Sequence, residues 1–154
     1  MNITAETSKL ILGYLKEIAP EAESRRSYLP FLEPDELDEK IVLHVVPFGR
    51  HAERYTQGGM LKHDLAIDIC INAKLNHRND ENDAQVAEID ELVAFAEKIY
   101  SAFMKKVKRN SENFQAAFDQ PEHVLLVDYE AIQVLNCFQS VVRINAEVFS
   151  KPEV

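Results

Sequence analysis

The sequence predicts an α+β domain, with a mainly antiparallel sheet and with a long helix and an N-terminal helix packed on one face. Three observations predict it. Apolar residues recur at helical spacing in 5–19 and again in 84–108. They alternate with polar residues in 65–71 and in 141–149, as in half-buried strands. The connection between the last two strand-like stretches is too short for a crossover helix, so that pair is antiparallel. With 154 residues, 46% of them apolar and 28% charged, the chain has the size and composition of a single domain over 1–154. Such a domain removes roughly 70% of its unfolded surface from water.

Taken in order, Thr4 is the expected N-cap of the first helix. Leu10, Ile11, Tyr14, Leu15 and Ile18 form its buried stripe, and Pro20 stops it. The stretch 21–40 mixes charges with Pro30 and Pro34 and reads as solvated connection, including its acidic segment EPDELDE at 33–39; Tyr28, Leu29, Phe31 and Leu32 are available to pack locally. IVLHVVPF, at 41–48, is β-branched and apolar almost throughout, the pattern of a central strand covered on both faces. The segment 49–62, with Arg50, His51, Arg54, Tyr55 and the pair Gly58-Gly59, reads as a projecting loop or open hairpin.

Leu65, Ile67, Ile69 and Ile71 then alternate with Ala66, Asp68 and Cys70, which points Asp68 away from the core. NHRNDEND, at 76–83, is a turn-forming cluster whose Asp83 can cap a helix over 84–108. The stripe of that helix is Val86, Ile89, Val93, Ala96, Tyr100, Phe103 and Val107, widened by Leu92 and Ile99, and its length is about 37 Å. Residues 109–121 read as irregular, with Phe114, Ala117 and Phe118 tucked in, before strands in 124–129 and 133–149.

Charge narrows the function. Asp and Glu number 26 against 17 Lys and Arg, and the net −9 repels phosphate backbones and anionic lipid, so tight sequence-reading DNA binding is not expected. The basic cluster Lys105, Lys106, Lys108 and Arg109 falls where cations complement the C-terminal dipole of the expected helix. No apolar run approaches the ~20 residues of a membrane span. Residues 1–18 lack the basic, apolar and cleavage-site pattern of a signal peptide, so a cytosolic product is expected. Cys70 and Cys137 lie in strand-like apolar stretches without CxxC spacing and read as small buried hydrophobes.

Several constellations invite a chemical reading. His63-Asp64 resembles a metal-binding dyad, but it opens a strand, and no helical histidines complete a ligand set. Asp64 and Asp68 share one strand face, where two carboxylates do acid–base work or bind a cation only if a pocket surrounds them. Glu88, Asp90, Glu91 and Glu97 read as the solvated face of the long helix. There is no P-loop, GxGxxG turn, GxSxG elbow or HExxH helix, and four glycines leave little material for a phosphate cradle. No catalytic residue, cofactor or metal is expected. A small cytosolic enzyme or binding domain using His51, His63, Asp64 and Asp68 is the alternative.

The strand IVLHVVPF, the charged loop with Arg50 and Arg54, the alternating strand HDLAIDICINAK and the helix AEIDELVAFAEKIYSAF follow in an order that resembles small phage tail-terminator proteins. These are minor tail or neck-ring components of long-tailed phages and prophages. The resemblance covers about 41–149 and is one of layout, without an invariant motif. It implies a non-enzymatic α+β subunit that closes into a homo-oligomeric ring, typically of six copies. Such a ring caps the tail tube, stops its polymerisation and meets the head–tail connector, with no cofactor and no membrane. A location in the virion tail or neck follows, after synthesis in a bacterial cytoplasm. A heterologous ring contact needs two different patches per subunit, and Arg50, Arg54 and Lys62 are the candidate subunit or partner contacts. Asp68 and neighbouring carboxylates are the candidate lining of a channel through which DNA passes without specific binding. The acidic segment 33–39 has no counterpart in the family pattern.

Overall fold

The first helix, α1 (Ile3–Ile18), begins at Asn2, whose Oδ1 accepts the Ala5 N–H at 3.0 Å. Asn2 thus takes the capping role expected of Thr4, because it sits in extended backbone with its side-chain oxygen aimed at the free amides of the first turn. Ile11 and Leu15 are fully buried, and Leu10, Tyr14 and Ile18 flank them as the stripe predicts. The structure, a computed structural model, describes residues 2–56 and 58–151, with 51–55 described in backbone only.

The stretch expected to be plain connection contains a strand, β1 (Glu23–Arg26), and a 3-10 turn at Pro34–Glu36. ESRR carries no strand alternation of its own; β1 forms because it lies parallel against β2 (Val42–Tyr55), in register from Glu23↔Val42 to Arg26↔Val45. β2 and β3 (Leu61–Lys74) make a long antiparallel hairpin, so of the two readings of 49–62, projecting loop or open hairpin, the hairpin holds, with paired strand reaching Tyr55↔Leu61. In the turn between them the Thr56 N–H reaches the Met60 carbonyl at 2.8 Å, and Gly59 sits at φ +77°, a backbone region that favours glycine.

The long helix α2 (Asn82–Ala102) spans about 31 Å at 1.5 Å per residue and ends well short of residue 108. Phe103 closes it, and Val107 belongs instead to a short strand, β4 (Val107–Asn110). Val107 is buried in the same core as Phe103, so its spacing of four from Phe103 imitates a helical stripe across a change of structure. The N-cap position is Glu81, without a side-chain bond, and Asp83 lies in the first turn, where its charge suits the helix dipole. The buried face centres on Gln85, Leu92, Ala96 and Ile99, which leaves Val86 46% exposed.

Where irregular chain was expected, β5 (Phe114–Leu125) runs with register breaks between Asp119 and Glu122 and between His123 and Leu125. A π-helical turn (Ala131–Leu135) and Asn136 in left-handed backbone lead into β6 (Cys137–Ser150), which pairs antiparallel with β5 as predicted. The six strands form one sheet in the order β1-β2-β3-β6-β5-β4, antiparallel among the described pairs except at β1–β2.

Both helices cover one face of this curled sheet, and between them and the sheet lies the main core, including Leu65, Ile67, Ile69, Phe118, Phe138 and Ile144. Tyr14 ties the helices together: its hydroxyl donates to the Ala102 carbonyl at 3.0 Å, and its ring meets Phe103 edge-on at 5.2 Å. The other face is roofed at one end only. There Leu32 and Leu37 cover Val42 and Cys137, and the Leu32 N–H donates to Asn72 Oδ1 at 3.0 Å. This roof explains why β2 is buried on both faces over 42–45 although it is second from the sheet edge. No described helix is long and apolar enough to cross a membrane.

Candidate functional site

The pleat of β3 sorts the residues that invite a chemical reading. His63, Leu65, Ile67 and Ile69 point to the helical side, while Lys62, Asp64, Ala66 and Asp68 point to the helix-free face. His63 and Asp64 therefore diverge rather than converge. His63 is 1% exposed, with Nε2 against Ser150 Oγ at 3.1 Å and Nδ1 against the Arg50 guanidinium. Among the described residues no group of three or more His, Cys, Asp or Glu is placed to hold a metal ion.

Asp64 and Asp68 do share a face, as the alternation requires, and both are engaged there. Asp68 accepts two bonds from Arg143, 2.7 Å from Nε and 3.1 Å from Nη2, and the guanidinium lies 3.4 Å from the centroid of the Phe48 ring. This fork holds the Arg143 pKa above its ordinary value, first through the hydrogen bond that Arg143 donates to Asp68. Asp64 stands directly across from Glu147 on β6, a like-charge pairing that is unfavourable alone. Lys62 lies between them, 3.7 Å from Asp64 and 3.8 Å from Glu147, with only 16% of its side chain exposed.

Of the three cations expected to reach a partner, Lys62 is thus held within its own chain and Arg50 packs on His63. The Arg54 side chain lies outside the described residues, as does that of His51. Asp68 is on the helix-free face, but Arg143 largely cancels its charge.

Register turns these pairs into rows. Val46, Asp68, Arg143 and Glu122 stand side by side on four adjacent strands, and Asp64, Glu147, Ala117 and Lys108 form a parallel row. The sequence places Arg143 and Glu147 on the outward side of their strand, but only the pairing register shows which residues they meet. Exposed apolar side chains border the face. Tyr28 and Leu29 follow β1, and Phe48 lies on β2, while Tyr129 and Val134 stand at the π-helical turn. The basic cluster divides at β4. Arg109 turns to the helical side, 3.0 Å from Glu17 and over the Tyr14 ring, while Lys106 and Lys108 line a groove on the helix-free face together with Glu147 and Phe149.

Cys70 and Cys137 are buried thiols. Burial, with Asp68 nearby, pushes the Cys70 pKa up to about 12, and burial also raises that of Cys137. Neither is placed as a nucleophile. A scan of protein-family models finds no match to this chain, and neither does a search of curated proteins.

Proposed function

We propose that the chain is a structural subunit of a closed ring of the tail-terminator kind, which stops tail-tube polymerisation and joins tail to head. One observation carries the reading: the helix-free sheet face offers ion-paired rows with apolar residues at its margin, and the two sheet edges differ. The β1 edge is followed by exposed Tyr28 and Leu29, while the β4 edge presents lysines. Unlike edges suit a heterologous contact that repeats around a ring, whereas a two-fold dimer needs one self-complementary patch. Ion pairs formed within the subunit fix the shape of the face before a neighbour arrives, which lowers the ordering entropy lost on assembly.

The order of strands and α2 that resembles tail terminators supports the specific assignment. In this reading the partners are further copies, the tube protein and the head–tail connector, and the assembled location is the virion neck. DNA passes through the ring without being held. With Asp68 neutralised by Arg143, repulsion of the duplex comes from the net −9 of each subunit rather than from that one carboxylate.

Electron microscopy of the protein mixed with tubes of the tail-tube protein from the same phage or prophage tests the proposal. A ring at one tube end, with elongation arrested, is the expected result. Tubes that keep growing uncapped, with the protein monomeric beside them, would refute it.

A further inference from the structure

Two sets of charges find no ion-pair partner among the described residues: the carboxylates of the acidic segment 33–39, whose Leu37 alone turns inward, and Lys105 and Lys108 after α2. Glu33, Asp35, Glu36, Asp38 and Glu39 are all exposed, and none forms an ion pair with a described residue. Glu36 and Asp38 only accept backbone N–H groups, from Glu33 and Lys40. Five carboxylates on seven residues repel one another unless a cationic surface meets them.

At the far side of the sheet, on the same helix-free face, a groove of about 420 Å³ is lined by Lys106, Lys108, Gln115, Ala117, Glu147 and Phe149. Its carboxylate, Glu147, is bridged by Lys62, and Lys106 lies 3.8 Å from Asp119. The lining thus carries two lysines against one carboxylate, and of the two lysines Lys108 has no ion pair among the described residues.

Within one chain the two features cannot meet. The acidic loop docks at Asn72, whereas register aligns β4 with Leu65 through Phe118 and Ala146. Seven residues along β3 and three strand spacings across the sheet separate them by about 27 Å.

We propose that the acidic loop 33–39 of one copy seats in the β4–β5–β6 groove of the next, which makes this the head-to-tail contact of the ring. The inference rests on the ring reading and gives it a register. A loop and a groove at opposite corners of the sheet form a heterologous pair, and the contact repeats from copy to copy.

A charge swap tests it. One variant reverses the groove (Lys106→Glu with Lys108→Glu), and a second reverses the loop (Asp35→Lys with Glu39→Lys). The altered loop positions are exposed and accept no hydrogen bond, and melting by circular dichroism checks that both variants fold. Native mass spectrometry then follows assembly of wild type, each variant and their equal mixture. Each variant alone should assemble about tenfold more weakly than wild type, and the mixture should recover, because each altered loop then meets an oppositely charged groove. Variants that assemble like wild type, or a mixture that fails to recover, would overturn the loop–groove contact and leave the ring standing. A wild type that stays monomeric with and without tail tubes would remove both. Short duplex DNA bound by wild type and lost in the groove variant, with assembly unaffected, would make the groove a polyanion site instead.

Discussion

Asp68→Ala tests how far the helix-free face is organised by its own charges. The Asp68–Arg143 fork has bond lengths of 2.7 and 3.1 Å, with 13% of the aspartate and 26% of the arginine side chain exposed. A pair about 4 Å apart attracts by about 4 kcal/mol at an effective dielectric of 20 and by about 1 kcal/mol in water. Desolvation offsets part of that, and the expected coupling is about 2 kcal/mol, between the ~1 kcal/mol limit of exposed pairs and the 3–5 kcal/mol loss on breaking buried ones. Arg143→Ala also removes the contact with Phe48, so it should cost about 0.5–1 kcal/mol more than Asp68→Ala. At roughly 2–4 °C per kcal/mol for a chain of this size, Asp68→Ala should lower Tm by about 4–8 °C. Urea denaturation of wild type, both single variants and the double variant yields the coupling energy directly. A coupling below about 0.5 kcal/mol, or a stabilised Asp68→Ala, would refute the view that this fork fixes the face.

Other outcomes follow from the same geometry. At pH 8 a thiol with a pKa of about 12 is thiolate to only about one part in 10⁴, so Cys70 should resist a thiol-specific disulfide reagent in the folded protein and react at once in guanidinium. Asn2→Ala removes the α1 cap and should lower stability by about 1 kcal/mol in urea melts, whereas Thr4→Ala should change it by less. Glu88 accepts the Asn76 and His77 amides at 2.9–3.1 Å, so Glu88→Ala should speed hydrogen exchange at those amides and cost about 1–2 kcal/mol. Phe118→Ala, at a fully buried position, should cost about 3–5 kcal/mol by the same melts.

The class of the fold was legible because its two strongest periodicities are real. The stripe around Ile11 and Leu15 and the alternation from Leu65 to Ile71 both mark buried faces. What escaped was structure imposed by neighbours. ESRR becomes β1 only because β2 offers it an open edge, and the Phe103–Val107 spacing carries helical periodicity past the point where the helix stops. β3 was read as one-sided, yet Asn72 is buried on the other face, where it meets a loop whose prolines and charges look solvated in sequence.

The face itself was half legible. Alternation put Asp64 and Asp68 together on one strand face and turned Asp68 away from the core. Register cannot be read from one strand at a time. It joins Asp68 to Arg143 and places Lys62 between two carboxylates, which commits to the subunit a charge that looked available to a partner.

The claim that the helix-free face forms the contacts between copies is tested most directly by hydroxyl-radical footprinting of the chain before and after assembly on tail tubes. The account predicts protection at Tyr28, Leu29, Phe48 and Phe149, with Val86 on α2 oxidised as in the free chain. Protection confined to α1 and α2, with those aromatic residues still open to oxidation, would contradict it.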